Sequence, residues 1–185
     1  MDKTELRQLI RSKVAGLSPE QTALFDAQIA SLFLKSQSFM PQSSIACYIP
    51  LKGEVSCKSI MQTLVGQGHN ICLPAVTGRE DALVFRQYRP GDKLERGMMG
   101  AFEAAHTARQ MIPDVLIVPM LGFTRAKHRL GYGTGFYDRT LELFQQTKHV
   151  KTIGVAYGIQ ETDELEVEPH DIALDIIITE KEIIT

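Results

Sequence analysis

Asp114-Val115-Leu116-Ile117-Val118-Pro119 carries no polar residue after its aspartate. A strand with one wet face alternates apolar and polar residues. An unbroken apolar run reads instead as a strand buried on both faces, the habit of parallel sheets covered by helices. The flanking sequence agrees. Upstream, Ser44–Pro50 reads as a short apolar strand, Ser56–Val65 as a helix, Asn70–Pro74 as the next strand, and Ala82–Tyr88 as an edge or hairpin strand before a glycine-rich loop at Gly97–Gly100. Downstream, a helix separates the central run from strands at Lys151–Tyr157 and Asp171–Thr179. Strands and helices alternating at this spacing predict an α/β fold: a three-layer α/β/α arrangement with a mostly parallel sheet.

Two N-terminal helices are expected to precede that sheet. Leu6, Leu9, Ile10 and Val14 recur at helical spacing, and Gly16 ends the pattern. Ser18 then precedes Pro19, and Gln21 completes a capping-box spacing. Leu24, Phe25, Ile29, Leu32 and Phe33 give the second helix an apolar stripe, which reads as core. The chain has 185 residues, enough for one domain spanning 1–185 with a sizeable core.

Composition narrows the function class. Hydrophobic residues make up 44% and charged residues 23%, and 20 basic against 22 acidic side chains leave a formal charge of −2. Nothing global favours nucleic acid or an anionic membrane, so a site for a polyanion has to be built locally. Cys47, Cys57 and Cys72 lack C-x-x-C spacing and read as buried thiols in a reducing compartment. Met1-Asp2-Lys3-Thr4-Glu5 offers no apolar signal segment, and no run approaches membrane-spanning length, so a cytoplasmic protein is expected. His69, His106, His128, His149 and His170 show no ligand spacing, and no G-x-S-x-G nucleophile motif occurs.

The local polyanion site is legible at Arg129-Leu130-Gly131-Tyr132-Gly133-Thr134-Gly135-Phe136-Tyr137-Asp138, preceded by the basic run Arg125-Ala126-Lys127-His128. Glycines let backbone amides approach an anion and adopt positive φ, and the amphipathic run that follows predicts a helix whose N-terminus attracts phosphate. Arg129 adds a planar charged fork. The spacing is neither the dinucleotide fingerprint nor a P-loop. The reading is a polyphosphate cradle, with Asp138 placed to hold its metal. A glycine-rich connection whose Asp138 merely complements the helix dipole remains the alternative. Other candidates are weaker by pattern alone. Asp175 sits in an apolar run and reads as a carboxylate satisfied locally. Lys3 and Arg7 lie one turn apart on a helix face, and Glu54 favours the start of the following helix.

The glycine segment, with its lead-in Val118-Pro119-Met120-Leu121-Gly122-Phe123, resembles the signature of the 5-formyltetrahydrofolate cyclo-ligase (5,10-methenyltetrahydrofolate synthetase) family. That signature is P-x-x-[AG]-F-D followed by R-L-G-x-G-x-G-[YF]-Y-D. Lys3 and Arg7, Ile45–Pro50 with Gly53-Glu54-Val55, Leu73-Pro74 and His170–Asp175 extend the resemblance over the whole chain. Thr124, where the family has aspartate, and Thr134 depart from the pattern.

The resemblance implies ATP- and Mg2+-dependent cyclisation of 5-formyltetrahydrofolate to 5,10-methenyltetrahydrofolate through a phosphorylated formyl intermediate, with release of ADP and phosphate. It further implies that Arg129 is catalytic, and that Lys3, Arg7 and Arg129–Tyr137 (Leu130, Gly131, Tyr132, Gly133, Thr134, Gly135, Phe136 and Tyr137) contact ATP. Arg7, Ile49, Glu54, Tyr132 and Phe136 would contact the folate, and Asp138 and Asp175 would bind magnesium. ATP and 5-formyltetrahydrofolate are then the partners, with no nucleic acid or membrane. A monomer is compatible with this reading, though no residue pattern sets the oligomeric state. Two alternatives stand beside it: a sugar-phosphate isomerase or acyl-CoA transferase relative, and a non-catalytic nucleotide or folate sensor.

Overall fold

The computed structural model describes residues 2–168 and 171–185; Met1 and His170, the latter part of the terminal resemblance, lie outside the described residues. Helices α1 (Lys3–Ala15) and α2 (Pro19–Ser36) come first, each opened by a capping box, Asp2 with Glu5 and Ser18 with Gln21. Strand β1 (Ser44–Ala46), helix α3 (Lys58–Gly66), and strands β2 (Asn70–Ala75) and β3 (Val84–Tyr88) follow. A hairpin, β4 (Leu94–Arg96) and β5 (Phe102–Ala104), leads to β6 (Gln110–Met111) and the central β7 (Val115–Pro119). A short ribbon, β8 (Gly122–Phe123) and β9 (Arg129–Leu130), delivers the glycine segment to α4 (Phe136–Thr147). Strands β10 (Lys151–Val155), β11 (Ile176–Ile178) and β12 (Ile183–Ile184) complete the chain.

The main sheet has the order β12-β11-β10-β7-β1-β2-β3-β6. From β11 to β2 all neighbours are parallel, and the antiparallel pairs lie at the flanks. Every residue of β7 is buried, as its unbroken apolar run requires. Alternation sends Val115 and Ile117 to a core shared with α1, α2 and α3, and Leu116 and Val118 to a second core shared with α4. The layers are thus α1–α3, sheet, and α4. The two N-terminal helices are part of one layer: Leu6, Ile10, Ile29 and Phe33 are buried against the sheet.

Several boundaries differ from the sequence reading. The first strand stops at Ala46; Cys47 makes one more ladder bond to Cys72 O (2.9 Å), and the chain then bends toward Glu54. The helix expected from Ser56 starts at Lys58, because the Ser56 amide is drawn to Asp26 Oδ1 (3.1 Å). Of the edge and hairpin readings for Ala82–Tyr88 the hairpin holds: β3 pairs antiparallel with β2, and β6 covers its other side. The last expected strand shrinks to Ile176–Ile178, leaving Asp171–Asp175 as irregular chain, and β10 ends at Val155. Leu24 faces solvent at 55% exposure, so α2 buries a narrower stripe than expected, and Leu9 is exposed as well. The three cysteines are free and buried, and burial pushes the Cys57 and Cys72 thiols up to about 12. Among the described residues no helix is long and apolar enough to cross a membrane.

Gly154, in the middle of β10, is a packing requirement: a Cβ there would strike the Met120 methyl, the Leu174 side chain and Ile177. Overpacking of this kind costs about 1–3 kcal/mol. Gly154→Ala is expected to lower the thermal midpoint by roughly 2–12 °C, since each kcal/mol is worth about 2–4 °C at this size; an unchanged melting curve would show that this core gives way freely.

Candidate active site

The sheet order places β1 beside β7, yet β1 runs on toward α3 on one face and β7 toward α4 on the other. Connections that leave adjacent parallel strands to opposite faces open a crevice at their carboxyl ends. Both the Glu54 loop and the glycine segment emerge there.

The glycine segment is reached through a tight turn. Thr124 N bonds His128 O (2.9 Å), Lys127 N bonds Thr124 O (2.9 Å), and His128 N donates to Thr124 Oγ1 (3.3 Å). The threonine hydroxyl therefore supplies the side-chain acceptor of this turn. Beyond β9, Gly133 (φ +93°) and Gly135 (φ +72°) take left-handed conformations that suit glycine, and Gly135 caps α4 without any side-chain bond. Among the described residues, no amide from Tyr132 to Asp138 donates to a protein acceptor. A helix N-terminus with free amides and no side-chain cap is a ready anion cradle. Arg7 reaches over from α1, its Nε bonding Gly131 O (2.9 Å), and its guanidinium packs beside Gly133.

Arg129 lies beneath the segment with its side chain only 5% exposed; Nη2 donates to Asp138 Oδ1 and Nη1 to Ile172 O (3.2 Å). Burial pulls the guanidinium below its ordinary value even with Asp138 and Asp171 close by. Asp138 itself is 53% exposed at the mouth of the cleft.

The opposite wall carries Glu54. Its Oε2 accepts from Leu51 N (2.7 Å), and it is hydrogen-bonded to the Tyr132 side chain, which links the two loops. Burial raises the Glu54 carboxyl above its usual value, against those two bonds. The loop is pinned from below by Asp26 of α2, whose Oδ1 accepts from Ser56 N (3.1 Å) and Tyr157 Oη (2.9 Å). Between the walls lies a largely apolar cleft of about 260 Å³. Ile49, Glu54, Arg129, Gly131–Tyr137 and Asp138 line it together.

Pattern reading missed the roof. Met99, Ala101 and Phe102, at the β4–β5 hairpin, line the cleft, and Phe102 sits under the Arg96 guanidinium (5.9 Å). Glu103 of the same strand is buried, accepting from Val76 N (3.1 Å) and facing Arg86 (3.6 Å). A glycine-rich loop with two methionines and a phenylalanine, all poor partners for water, was the available signal.

Three expected contacts fall elsewhere. Asp175 lies in a different depression with Leu141, Phe144, Lys148 and Thr152. Its Oδ2 accepts from Thr152 N (2.7 Å) and Thr152 Oγ1 (2.9 Å), and its own amide donates back to that hydroxyl (2.9 Å). Asp175 precedes β11, at the amino ends of the strands, so the structure does not join it to Asp138 as a metal pair. Lys3 is held in ion pairs with Glu168 (2.6 Å) and Asp171 (3.7 Å) and does not line the cleft. Leu130 is buried in the core, and its carbonyl accepts from Leu121 N (2.9 Å).

The profile of the 5-formyltetrahydrofolate cyclo-ligase family matches residues 1–180. The chain belongs to this family. It is 31% identical over 185 residues to the 5-formyltetrahydrofolate cyclo-ligase of Haemophilus influenzae, covering 95% of this chain and 98% of that protein. The Escherichia coli K12 cyclo-ligase is 30% identical over 176 residues, 92% of this chain and 96% of its own. Two solved cyclo-ligase-family structures superpose closely. The 5,10-methenyltetrahydrofolate synthetase of Mycoplasma pneumoniae gives a TM-score of 0.78 at 27% identity, over 97% of this chain and 99% of that one. That of Aquifex aeolicus gives 0.81 at 29% identity, over 99% and 92%.

Magnesium needs hard oxygen ligands and takes one or two carboxylates together with substrate phosphates. Asp138 fits that need, being an exposed carboxylate beside the free amides; Asp175, whose Oδ2 is held by Thr152 in a separate depression, does not share that place. Asp138→Asn is therefore expected to raise the Mg2+ midpoint of activity sharply. Asp175→Ala should leave that midpoint in place and lower thermal stability by about 1–3 kcal/mol, the cost of an unsatisfied buried donor at Thr152. Magnesium titrations at saturating ATP, run with thermal melts, separate the two.

Glu54 yields a pH signature. Its raised value means that the folded state holds this proton more tightly than the unfolded chain. The associated stability is fully present below the ordinary carboxyl value near 4.5 and is lost as pH rises through the folded value. If Glu54 meets the donor edge of a pterin, its ionised form is the better acceptor, and KM for the folate should rise as pH falls through that same window. In Glu54→Gln this pH dependence of KM should vanish. A pH profile of KM that is identical in wild type and variant would remove Glu54 from the folate wall.

Proposed function

We propose that this cleft performs the reaction of its family: ATP- and Mg2+-dependent closure of 5-formyltetrahydrofolate to 5,10-methenyltetrahydrofolate, with ADP and phosphate released. The observation that carries it is the run of free amides from Tyr132 to Asp138 facing one cleft with Glu54 and Ile49.

A formamide oxygen is a poor leaving group. Transfer of the γ-phosphoryl group of ATP to that oxygen expels ADP and turns the oxygen into part of a phosphate. N10 of the folate then attacks the formyl carbon and gives up its proton to solvent, the C–O bond breaks, phosphate leaves, and the cyclic methenyl cation remains. Such chemistry asks the protein mainly for positioning and charge stabilisation, which agrees with the lack of a nucleophile motif. The glycine-segment amides and Arg7 hold the polyphosphate. Glu54 accepts from the donor edge of the pterin, with Ile49, Tyr132 and Phe136 against its faces. Arg129 moves from Asp138 to the transferring phosphoryl oxygens. Asp138, released from that pair, is the carboxylate that would hold Mg2+, which when bound offsets charge on the phosphate oxygens. Met99 and Phe102 keep water from the phosphorylated intermediate.

One chain supplies every residue of this cleft, so a single domain spanning 1–185 acting as a monomer suffices. Its buried free thiols suit the reducing cytoplasm.

Purified protein should produce the near-ultraviolet absorbance of the methenyl product only when Mg2+ and ATP are both present, with one ADP and one phosphate per product. Turnover without ATP, or ATP hydrolysis without cyclisation, would refute the assignment. Arg129→Ala should lower kcat by about 10²–10³, the usual effect of deleting one electrostatic contact to a transition state. Wild-type kcat in a folded variant would take Arg129 out of the phosphoryl step.

A further inference from the structure

Arg139, the first residue of α4 beyond Asp138, does not line the cleft, yet its guanidinium is engaged on the cradle's outer side. Nη2 donates to Thr134 O (3.2 Å) in the glycine segment and to Arg79 O (2.9 Å) in the β2–β3 turn, while Nε donates to Asp81 O (3.1 Å) in that turn. The guanidinium also sits 5.1 Å from the centre of the Phe136 ring. Gly135 makes room for it: a Cβ there would come within 2.5 Å of Arg139 Nη1. The turn it grips is itself braced, by Thr77 Oγ1 on Asp81 Oδ2 (2.8 Å) and by Leu83 N on Thr140 Oγ1 (2.9 Å).

From these contacts we infer that Arg139 is a positioning residue for the phosphate-binding half of the cleft. It holds the Thr134 carbonyl outward and so fixes the backbone in which the neighbouring amides stay free for the nucleotide. Arg7, bonded to Gly131 O, grips the other end of the segment from α1. The planar spread of a guanidinium meets three carbonyls on two segments at once, which a point-charge ammonium does not reproduce. The inference rests on the cradle reading above, since the amides it arranges are the ones assigned to phosphate.

The test compares Arg139→Ala and Arg139→Lys with wild type; the lysine keeps an aliphatic stem and the charge, but not the fork. In the free protein, 15N relaxation should show the Gly133 and Gly135 amides falling from rigid order parameters near 0.85 to below about 0.6 in both variants. KM for ATP should rise at least about tenfold in both, a loss of roughly 1.4 kcal/mol, with KM for 5-formyltetrahydrofolate and the thermal midpoint close to wild type. A rigid segment with unchanged KM for ATP in Arg139→Ala would overturn the inference, as would a fall in thermal stability alone. Full rescue by lysine would also overturn it, because charge would then suffice. Loosened glycine amides in a protein that binds no nucleotide even as wild type would instead refute the cradle and leave the positioning role of Arg139 standing.

Discussion

Adjacent parallel strands whose connections leave to opposite faces must part at their carboxyl ends, and this chain's site depends on that parting. β1 and β7 are neighbours, but α3 packs with α1 and α2 in one core while α4 packs in the other. Neither connection crosses the gap. The acidic loop and the glycine segment are thereby brought face to face from distant positions in the chain, and the β4–β5 hairpin closes over them. Of the helix interiors, α1 reaches the glycine segment, through Arg7. The rigid sheet places two loops, and the loops present backbone groups.

Electrostatics then sets what the free enzyme looks like. A guanidinium as buried as that of Arg129 needs a partner, because desolvation penalises an isolated charge. Asp138 and the Ile172 carbonyl provide it. The same pairing holds the half-exposed Asp138 carboxylate in the first turn of α4, where the helix dipole also favours negative charge. The cleft thus holds one positive and one negative group in contact beside the free amides. On the other wall Glu54 is held by a backbone amide and Tyr132, so the Glu54 loop and the glycine segment share a hydrogen bond.

Much of this was legible in residue order. The apolar run at Val115–Pro119 required burial on both faces, and the Ser18–Gln21 capping box required a helix start, because both depend on neighbours in sequence. The glycine segment announced itself for the same reason: positive φ at Gly133 and Gly135 and a following amphipathic helix are local properties. Tertiary packing decided the rest. Asp175 matched the family's pattern by position, but which hydroxyl and amide would meet it depended on the register of β10 with β11, and that register gave it Thr152. Lys3 is one turn from Arg7 in sequence, yet its ammonium pairs with Glu168 and Asp171. Leu24 obeyed helical spacing and still faces solvent, since how wide a stripe α2 buries is set by its neighbours. Local chemistry, then, was written in the order of residues: where backbone bends, where a helix begins, which strand is dry. Which distant carboxylate, carbonyl or aromatic ring completes each site was decided only by the three-dimensional crossing of elements, because contacts between residues far apart in the chain have no spacing from which to be read.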